Sequence, residues 1–431
     1  MHAKIVGKSK SGNSVKNFLM LQGSANPFFK VLGSELQALG HGVQRINFCG
    51  GDWLFWHGAD AIDYRGSQET FGDFLADFTK DKGFTDLVVF GDLRPVHQIA
   101  IAWACANHVR VHVMEEGLMR PHWLTLERDG INGFSQIPSD PKWHLKTAKT
   151  LAPQDAYEKV GGGMRLRVRN DILYNVANML MFWRYPNYRT HRPYNIYVDY
   201  WSWIKRLTHI RADGQRANAD IEKLIKSAQP FYLFALQLDT DSQIRVHSKF
   251  GGVPESIRAV MDNFAANAKS DSVLCIKNHP LDNAMINYGR LIAKQAQALN
   301  IEDRVVYVDG GDLNVLIKHC QGTVLVNSTT GMSVLHQGKP MIALGAAIFD
   351  MEGLTFQGTL KDFWIELQPP DQSLFKQFCE VLLATSLING NLYSDRGIAV
   401  GVKAAIKMLS RDTAPFEGAP KPNHPRDPGR V

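Results

Sequence analysis

The chain has 431 residues, 45% of them apolar and 21% charged, with 36 Gly and 19 Pro, the proportions of an ordinary globular protein long enough for two or three domains. Collagen, coiled coil and wholesale disorder are excluded. Forty-eight Lys plus Arg against 42 Asp plus Glu leave a net charge of +6, too small an excess to mark a nucleic-acid binder unless it is concentrated in one stretch.

The N-terminal stretch is basic but holds only the short apolar run Phe18 to Leu21, with no small-residue cleavage site after it, so it reads as cytoplasmic rather than as a secretory signal. No run of about 18 apolar residues follows anywhere, which argues against a spanning helix. The five cysteines (Cys49, Cys105, Cys275, Cys320, Cys379) are odd in number and contain no C-x-x-C pair. They suggest neither a disulfide framework nor a zinc site, and read as reduced packing residues.

"NFLMLQG" predicts a strand, "PFFKVLGSELQALG" a helix closed by Gly, and "HGVQRINF" an alternating strand. A second βαβ unit follows in "TDLVVFG", "RPVHQIAIAWACANH" and "VRVHVME". The second half repeats the grammar, with "FYLFALQ", "SVLCIKNHP", "RVVYVDG", "GTVLVNS" and "PMIALG" as five strands separated by helical stretches. The expectation is an α/β protein of two Rossmann-like parallel-sheet domains facing a central cleft, the architecture called GT-B in glycosyltransferases; one large doubly wound sheet is the alternative. The boundaries read as 1–160 for the first domain, 161–229 for a connector, 230–410 for the second domain, and 411–431 for a Pro-rich, disordered tail.

The connector breaks the pattern. Arg165, Arg167, Arg169, Arg184, Arg189, Arg192, Lys205, Arg206, Arg211 and Arg216 face only Asp171, Asp199 and Asp213 between residues 165 and 216. Interleaved are Phe182, Trp183, Tyr185, Tyr188, Tyr194, Tyr197, Tyr200, Trp201 and Trp203. This mixture suits a phospholipid headgroup layer, or a connector packed on the protein itself. No nucleic-acid motif accompanies it, so no nucleic-acid partner is expected.

Open α/β sheets bind ligands beyond the carboxyl ends of their strands, and four such places stand out. Glu115-Glu116-Gly117, with Arg120 behind, offers adjacent carboxylates for acid/base work, or a cap and a salt bridge. Gln237-Leu238-Asp239-Thr240-Asp241 follows "FYLFALQ" and is an acidic loop or a helix cap. Lys277-Asn278-His279-Pro280 holds an imidazole at a strand end, in extended geometry imposed by the proline, suited to donating to a phosphate oxygen. Asn327-Ser328-Thr329-Thr330-Gly331 gathers three hydroxyls at a helix start, an anion site with a glycine that admits a ligand to the backbone. It is not a P-loop, which disfavours a kinase or ATPase.

Taken together, "LQGSANPFF", "GDLRPVH", "MEEGLMRP", "LQLDTDSQIRVHSKF", "KNHP" and "NSTTGMSVLHQGKP" resemble the capsule polysaccharide synthesis and export family of Gram-negative bacteria. The single-module length looks more like its KpsS-type β-Kdo transferases than the duplicated KpsC type. The resemblance implies CMP-Kdo as donor and a lipid acceptor of phosphatidylglycerol type. It makes residues 230–410 the CMP-binding domain and residues 1–160 the acceptor side. It suggests that His279, Ser328, Thr329 and Thr330 hold the CMP phosphate, within a donor site that also includes Gln237, Lys277, Pro280, Asn327 and Gly331. Gly23, Ser24 and Arg120 are then acceptor or sugar contacts. Glu116 lies where the family keeps its acid/base, with Glu115 as the other choice.

Departure of CMP leaves a phosphate and an oxocarbenium-like carbon, so phosphate donors and carboxylates are both needed. Retention of configuration asks for a carboxylate nucleophile, Asp241 or else Asp239. No cofactor or obligatory metal is expected. The implied location is cytoplasmic and peripheral to the inner membrane, beside other capsule synthesis and export proteins. Transfer of another CMP-linked ulosonic acid, or a non-catalytic export role, are the alternatives.

Overall fold

Apolar runs and amphipathic stretches become two separate sheets in the computed structural model, which describes residues 15–152, 156–190, 196–413, 415, 416, 418–420, 422, 430 and 431. In chain order the strands are β1 (Asn17–Met20), β2 (Gly42–Asn47), β3 (Ala61–Asp63), β4 (Asp86–Phe90), β5 (Arg110–Glu116), β6 (Trp123–Arg128), β7 (Phe231–Ala235), β8 (Val273–Lys277), β9 (Val305–Val308), β10 (Gly322–Leu325), β11 (Met341–Ala343) and β12 (Leu387–Asn389). One sheet has the order β12-β6-β5-β4-β1-β2-β3 and the other β11-β10-β7-β8-β9. Each organises one of two compact units. All nine sequence-predicted strands, β1, β2, β4, β5, β7, β8, β9, β10 and β11, lie in these sheets.

In the first unit β1 pairs in parallel with β2 and β4, and β4 with β5. Its strands read as nearly continuous apolar runs because both faces are covered. Leu19, Leu87, Val89 and Val113 pack on one side with Phe71 and Leu75; Phe18, Met20, Val88 and Met114 pack on the other with Phe28, Leu32 and Leu36. The winding reverses between β1 and β4, where an open sheet has its binding crevice. β6 and β12 add an antiparallel edge that strand-by-strand reading missed.

The second sheet is wholly parallel. Phe234, Leu274, Ile276 and Val324 are sealed under helices that contribute Ile257, Val260, Phe264 and Trp364. Here the reversal falls between β7 and β10.

Besides residues 137–145, which fall in the second unit rather than in a first domain of 1–160, the sequence-based boundaries need three corrections. Residues 379–420 join the first unit, not the second, because β12 pairs with β6 and the helix Asp395–Leu409 buries Ile398, Val402, Ala405 and Leu409 against Phe28 and Leu32. Gly390 permits this return: at φ +152° a Cβ there would sit 2.4 Å from the Cα of Gly401. The connector is not one segment either, since the helix Met164–Leu180 belongs to the first unit and the helix Ile196–Lys226 to the second.

Thirdly, the tail ends in ordered contacts. Arg430 is buried, pairing with Asp350 at 2.9 Å and donating to Gln357 Oε1 at 3.0 Å, and Val431 packs on the second core. The expectation of disorder at 414, 417, 421 and 423–429, like the reading of residues 1–14 and of Arg192 and Tyr194, lies outside the described residues. No helix among the described residues is long and apolar enough to cross a membrane.

Candidate active site

In the second unit side chains fasten the loop after β7 to the loop after β10, and the loop after β8 to the loop after β9. Gln237 Nε2 donates to Asn327 Oδ1 at 2.9 Å and to Asp241 Oδ2 at 3.3 Å, while Gln237 Oε1 accepts from the Asn327 amide at 3.1 Å. Gln237 is buried and its amide is spent on protein. The expected donor contact is therefore a positioning residue instead, aligning Asp241 with the Asn327 loop. Asp241 also caps the short helix Ser242–His247 through the Gln243 amide.

Asp239 is more deeply committed. Its Oδ1 accepts the Val253 amide at 3.0 Å, and its Oδ2 pairs with Arg245 at 2.8 Å. Gly252 makes room for it, since a Cβ there would meet Asp239 Oδ1 at 2.7 Å. Of the two candidate nucleophiles, Asp239 anchors the helix Val253–Asn267 and Asp241 is the one left half-exposed.

After β8, His279 Nδ1 accepts the Leu281 amide at 3.1 Å. That contact assigns the proton of the neutral ring to Nε2, the form that donates to a phosphate oxygen. Asn278 locks the turn beneath it: its Oδ1 accepts the His279 amide at 2.8 Å, and its Nδ2 donates to Asp309 at 3.0 Å and to Asp282 at 3.2 Å. Asp309 in turn receives both guanidinium nitrogens of Arg206, from the helix Ile196–Lys226. Arg206, one of the basic residues of the expected connector, is buried in this chain of contacts. Lys277 is buried at the end of β8, its ammonium donating to the Asn278 carbonyl at 3.3 Å and its pKa lowered by desolvation. Pro280 is exposed at the tip of the turn.

In the Asn327 loop, Ser328 Oγ accepts the Thr330 amide and donates to Thr330 Oγ1, which leaves the Thr330 hydroxyl proton for another acceptor. Thr329 makes no side-chain cap. Gly331 is a correction: a Cβ there would lie 2.4 Å from the Phe349 ring. Its small size serves packing rather than ligand approach.

In the first unit the strand alternation separates the adjacent carboxylates that the sequence left equivalent. Glu115 lies opposite Thr125, two residues from the Val113–Glu127 pair, and accepts from Asn132 at 2.7 Å. Glu116 faces the other side. There it meets Arg120 and Arg167, each at 3.1 Å, and accepts the Tyr393 hydroxyl. Arg120 is thus a partner of Glu116. Arg167 and Tyr393, which the sequence reading did not single out as site residues, come from the helix Met164–Leu180 and from the returning C-terminal segment. Nothing in their local sequence context signals this, because both contacts join separate elements and the one from Tyr393 spans 277 residues.

Gly23 and Ser24 lie apart from Arg120, at the carboxyl end of β1. With Lys30, Arg45, Trp56 and Tyr174 they line a depression of about 270 Å³, its open mouth included. Arg45 is buried, donating to the Leu21 carbonyl at 2.7 Å and pairing with Asp52 at 3.4 Å. A buried arginine in an alternating strand was the available signal for it. Arg94 Nη1 holds the same loop through the carbonyls of Gln22 and Gly23.

On the Glu115 side, burial pushes the Glu127 carboxyl up to about 8, with Asp92 and Glu115 adding repulsion, and burial pushes Asp92 up to about 6. A folded-state pKa raised from the ordinary 4.5 means that the folded protein holds the proton more tightly than the unfolded chain. That stability is complete below the unfolded value and is lost as the pH rises toward 8. Thermal melts between pH 5 and 8.5 should show the wild type losing on the order of 3 kcal/mol. Glu127→Gln should flatten that dependence; an unchanged slope would place the proton elsewhere.

A family model described as capsule polysaccharide biosynthesis protein matches residues 85–393, a span that includes four of the site loops. The chain belongs to that family. Among its relatives, the capsule polysaccharide export protein KpsS of Escherichia coli is 32% identical over 385 residues, covering 88% of this chain and 97% of that protein. The capsule polysaccharide modification protein LipB of Neisseria meningitidis serogroup A is 35% identical over 392 residues, 88% of this chain and 92% of that one. Among solved structures, Thermosulfurimonas dismutans KpsC, a β-Kdo 2,7 transferase, aligns over 91% of this chain and 100% of its own at 13% identity, with a TM-score of 0.43. The family resemblance read from the motifs is borne out.

Proposed function

We propose that this member of the capsule polysaccharide family is a retaining glycosyltransferase that moves Kdo from CMP-Kdo to a phosphatidylglycerol-type lipid at the start of a capsule linker. The observation that carries the reading is the hydrogen-bonded frame of the second unit, in which Gln237 and Asn327 tie Asp241 to a hydroxyl-rich loop. His279 Nε2 and the hydroxyls of Thr329 and Thr330 donate hydrogen bonds to the phosphate as CMP leaves. Asp241 attacks the anomeric carbon and forms a glycosyl ester. The acceptor hydroxyl then displaces Asp241, giving its proton to Glu116. Lys277 stands behind the donor loop, and Ser24 belongs to the acceptor side. The work is done on the cytoplasmic face of the inner membrane, alongside other capsule synthesis and export proteins.

The donor site is tested by calorimetry. Ser328→Ala combined with Thr329→Val should weaken CMP binding by about tenfold, as expected for lost hydrogen bonds to a charged group. Unchanged affinity would reduce the loop to a helix start. The name of the Escherichia coli relative favours a second reading, a non-catalytic export component. Incubation with CMP-Kdo and a phosphatidylglycerol acceptor, read by mass spectrometry, separates them: an export component yields no glycosylated lipid. A panel of CMP-linked ulosonic acids scored by CMP release identifies the sugar.

A further inference from the structure

The helix Met164–Leu180 is inverted relative to an ordinary surface helix, whose apolar stripe faces the core. Its buried side chains are Asn170, Asn175 and Ala177, while Val168, Ile172, Val176 and Met179 are 42–50% exposed and Leu180 is 69% exposed. The inner face is polar for a local reason. The helix Gly50–Phe55 approaches so closely that a Cβ on Gly50 would meet the Ala177 carbonyl at 2.2 Å, and the Gly51 amide donates to Asn178 Oδ1 at 2.7 Å. Contact with the rest of the first unit is therefore made through backbone, amides and the Tyr174 ring, which packs on Gly51 and stacks on Phe55, and the aliphatic residues named above are left outside.

That outer face is continuous. At 100° per residue, Val168, Ile172, Val176 and Met179 fall within one quadrant, and the exposed Phe182 and Trp183 extend it past the helix end. Arg165 and Arg169 lie on the same face and are exposed. Two other basic residues of the region do not add to it. Arg184 is spent on Asp63, and Arg167 on Glu116.

We infer that this face is a docking surface for an anionic lipid bilayer, with the helix lying in the interface plane. An apolar strip with arginines along it and aromatic rings at one end matches the layering of acyl chains and anionic headgroups. Self-association fits less well, since the strip carries Arg165 and Arg169 but no carboxylate to pair with a second copy's arginines. The inference deepens the reading of a membrane-lipid acceptor, and the test below separates the two.

The test is co-sedimentation of the full chain with phosphatidylcholine vesicles containing phosphatidylglycerol, together with sedimentation velocity in their absence. Val168→Ser, Ile172→Ser and Val176→Ser combined should weaken vesicle binding on the order of 100-fold. Arg165→Gln with Arg169→Gln should weaken it about 30-fold at low salt, and should have no effect on pure phosphatidylcholine. Both variants should keep the wild-type melting profile by circular dichroism and full transfer to a short-chain, water-soluble acceptor. Wild type that transfers Kdo but stays free of vesicles, or a serine variant that binds as wild type does, overturns the docking surface and leaves the function standing. Vesicle binding lost in both variants, with no Kdo transferred by any of the proteins, supports the surface and removes the proposed function. A wild-type dimer that the serine variant dissolves without vesicles would overturn the lipid in favour of a second copy.

Discussion

Glu116→Gln incubated with CMP-Kdo should accumulate a covalent adduct of one Kdo on a peptide spanning residues 237 to 243. CMP departs with little protonation, so Asp241 still forms the glycosyl ester, whereas activation of the acceptor hydroxyl is lost and the ester persists. Asp241→Ala in the same background should show no adduct, and turnover should fall by at least about 1000-fold. Intact-protein mass spectrometry followed by peptide mapping reads both. An adduct on Asp239 would move the nucleophile by two residues and keep the mechanism. No adduct in any variant, with product of inverted configuration, would end it. The structure adds a control: Asp239 holds the Val253 amide and Arg245, so Asp239→Ala should cost about 1 to 3 kcal/mol of stability. Asp241→Ala removes the cap of a six-residue helix and the Gln237 contact.

His279→Ala should lower turnover at least about 100-fold through loss of a donor to the leaving phosphate. Wild-type activity in that variant would remove His279 from the mechanism. The contacts beneath it predict a graded series. Asp309→Asn keeps the shape but loosens the Arg206 pairing and the support of Asn278, so it should reduce kcat by a smaller factor. If Asp309 acts only by positioning the turn, the pH profile of kcat should keep its form, and Arg206→Lys should fall between wild type and Arg206→Ala. Equal losses in all three variants, with lowered melting temperatures, would mean that the network serves folding alone.

The parallel cores of both units were legible in the chain because a strand buried on both faces must be apolar along its whole length. Runs such as Phe231–Ala235 and Val273–Lys277 have no other common use. The helix Phe28–Ala38 was legible from its spacing and its closing glycine. The loops that carry chemistry followed from the same pattern, since ligands gather beyond the carboxyl ends of parallel strands. Family membership was contained in the combination of short motifs, each weak alone.

What the chain did not disclose depends on contacts between residues far apart in sequence. That β12 and the helix Asp395–Leu409 return to the first unit is decided by pairing with β6 and packing on Phe28, energies that no local window contains. That Glu115 and Glu116 have different partners was not visible in sequence and follows from the pleat of β5, which sends adjacent side chains to opposite faces. Gly331 looked like an opening for a ligand until Phe349 filled it. Arg184 and Arg206 could have served lipid headgroups or the protein itself, and Asp63 and Asp309 claim them. By itself the sequence determined which segments are strands and which loops are rich in reactive groups, because burial and backbone geometry constrain residue type locally. Only the tertiary structure decided which of those groups are spent on one another, because a carboxylate, a guanidinium or a glycine has the same sequence signature whether its partner is a ligand or the protein.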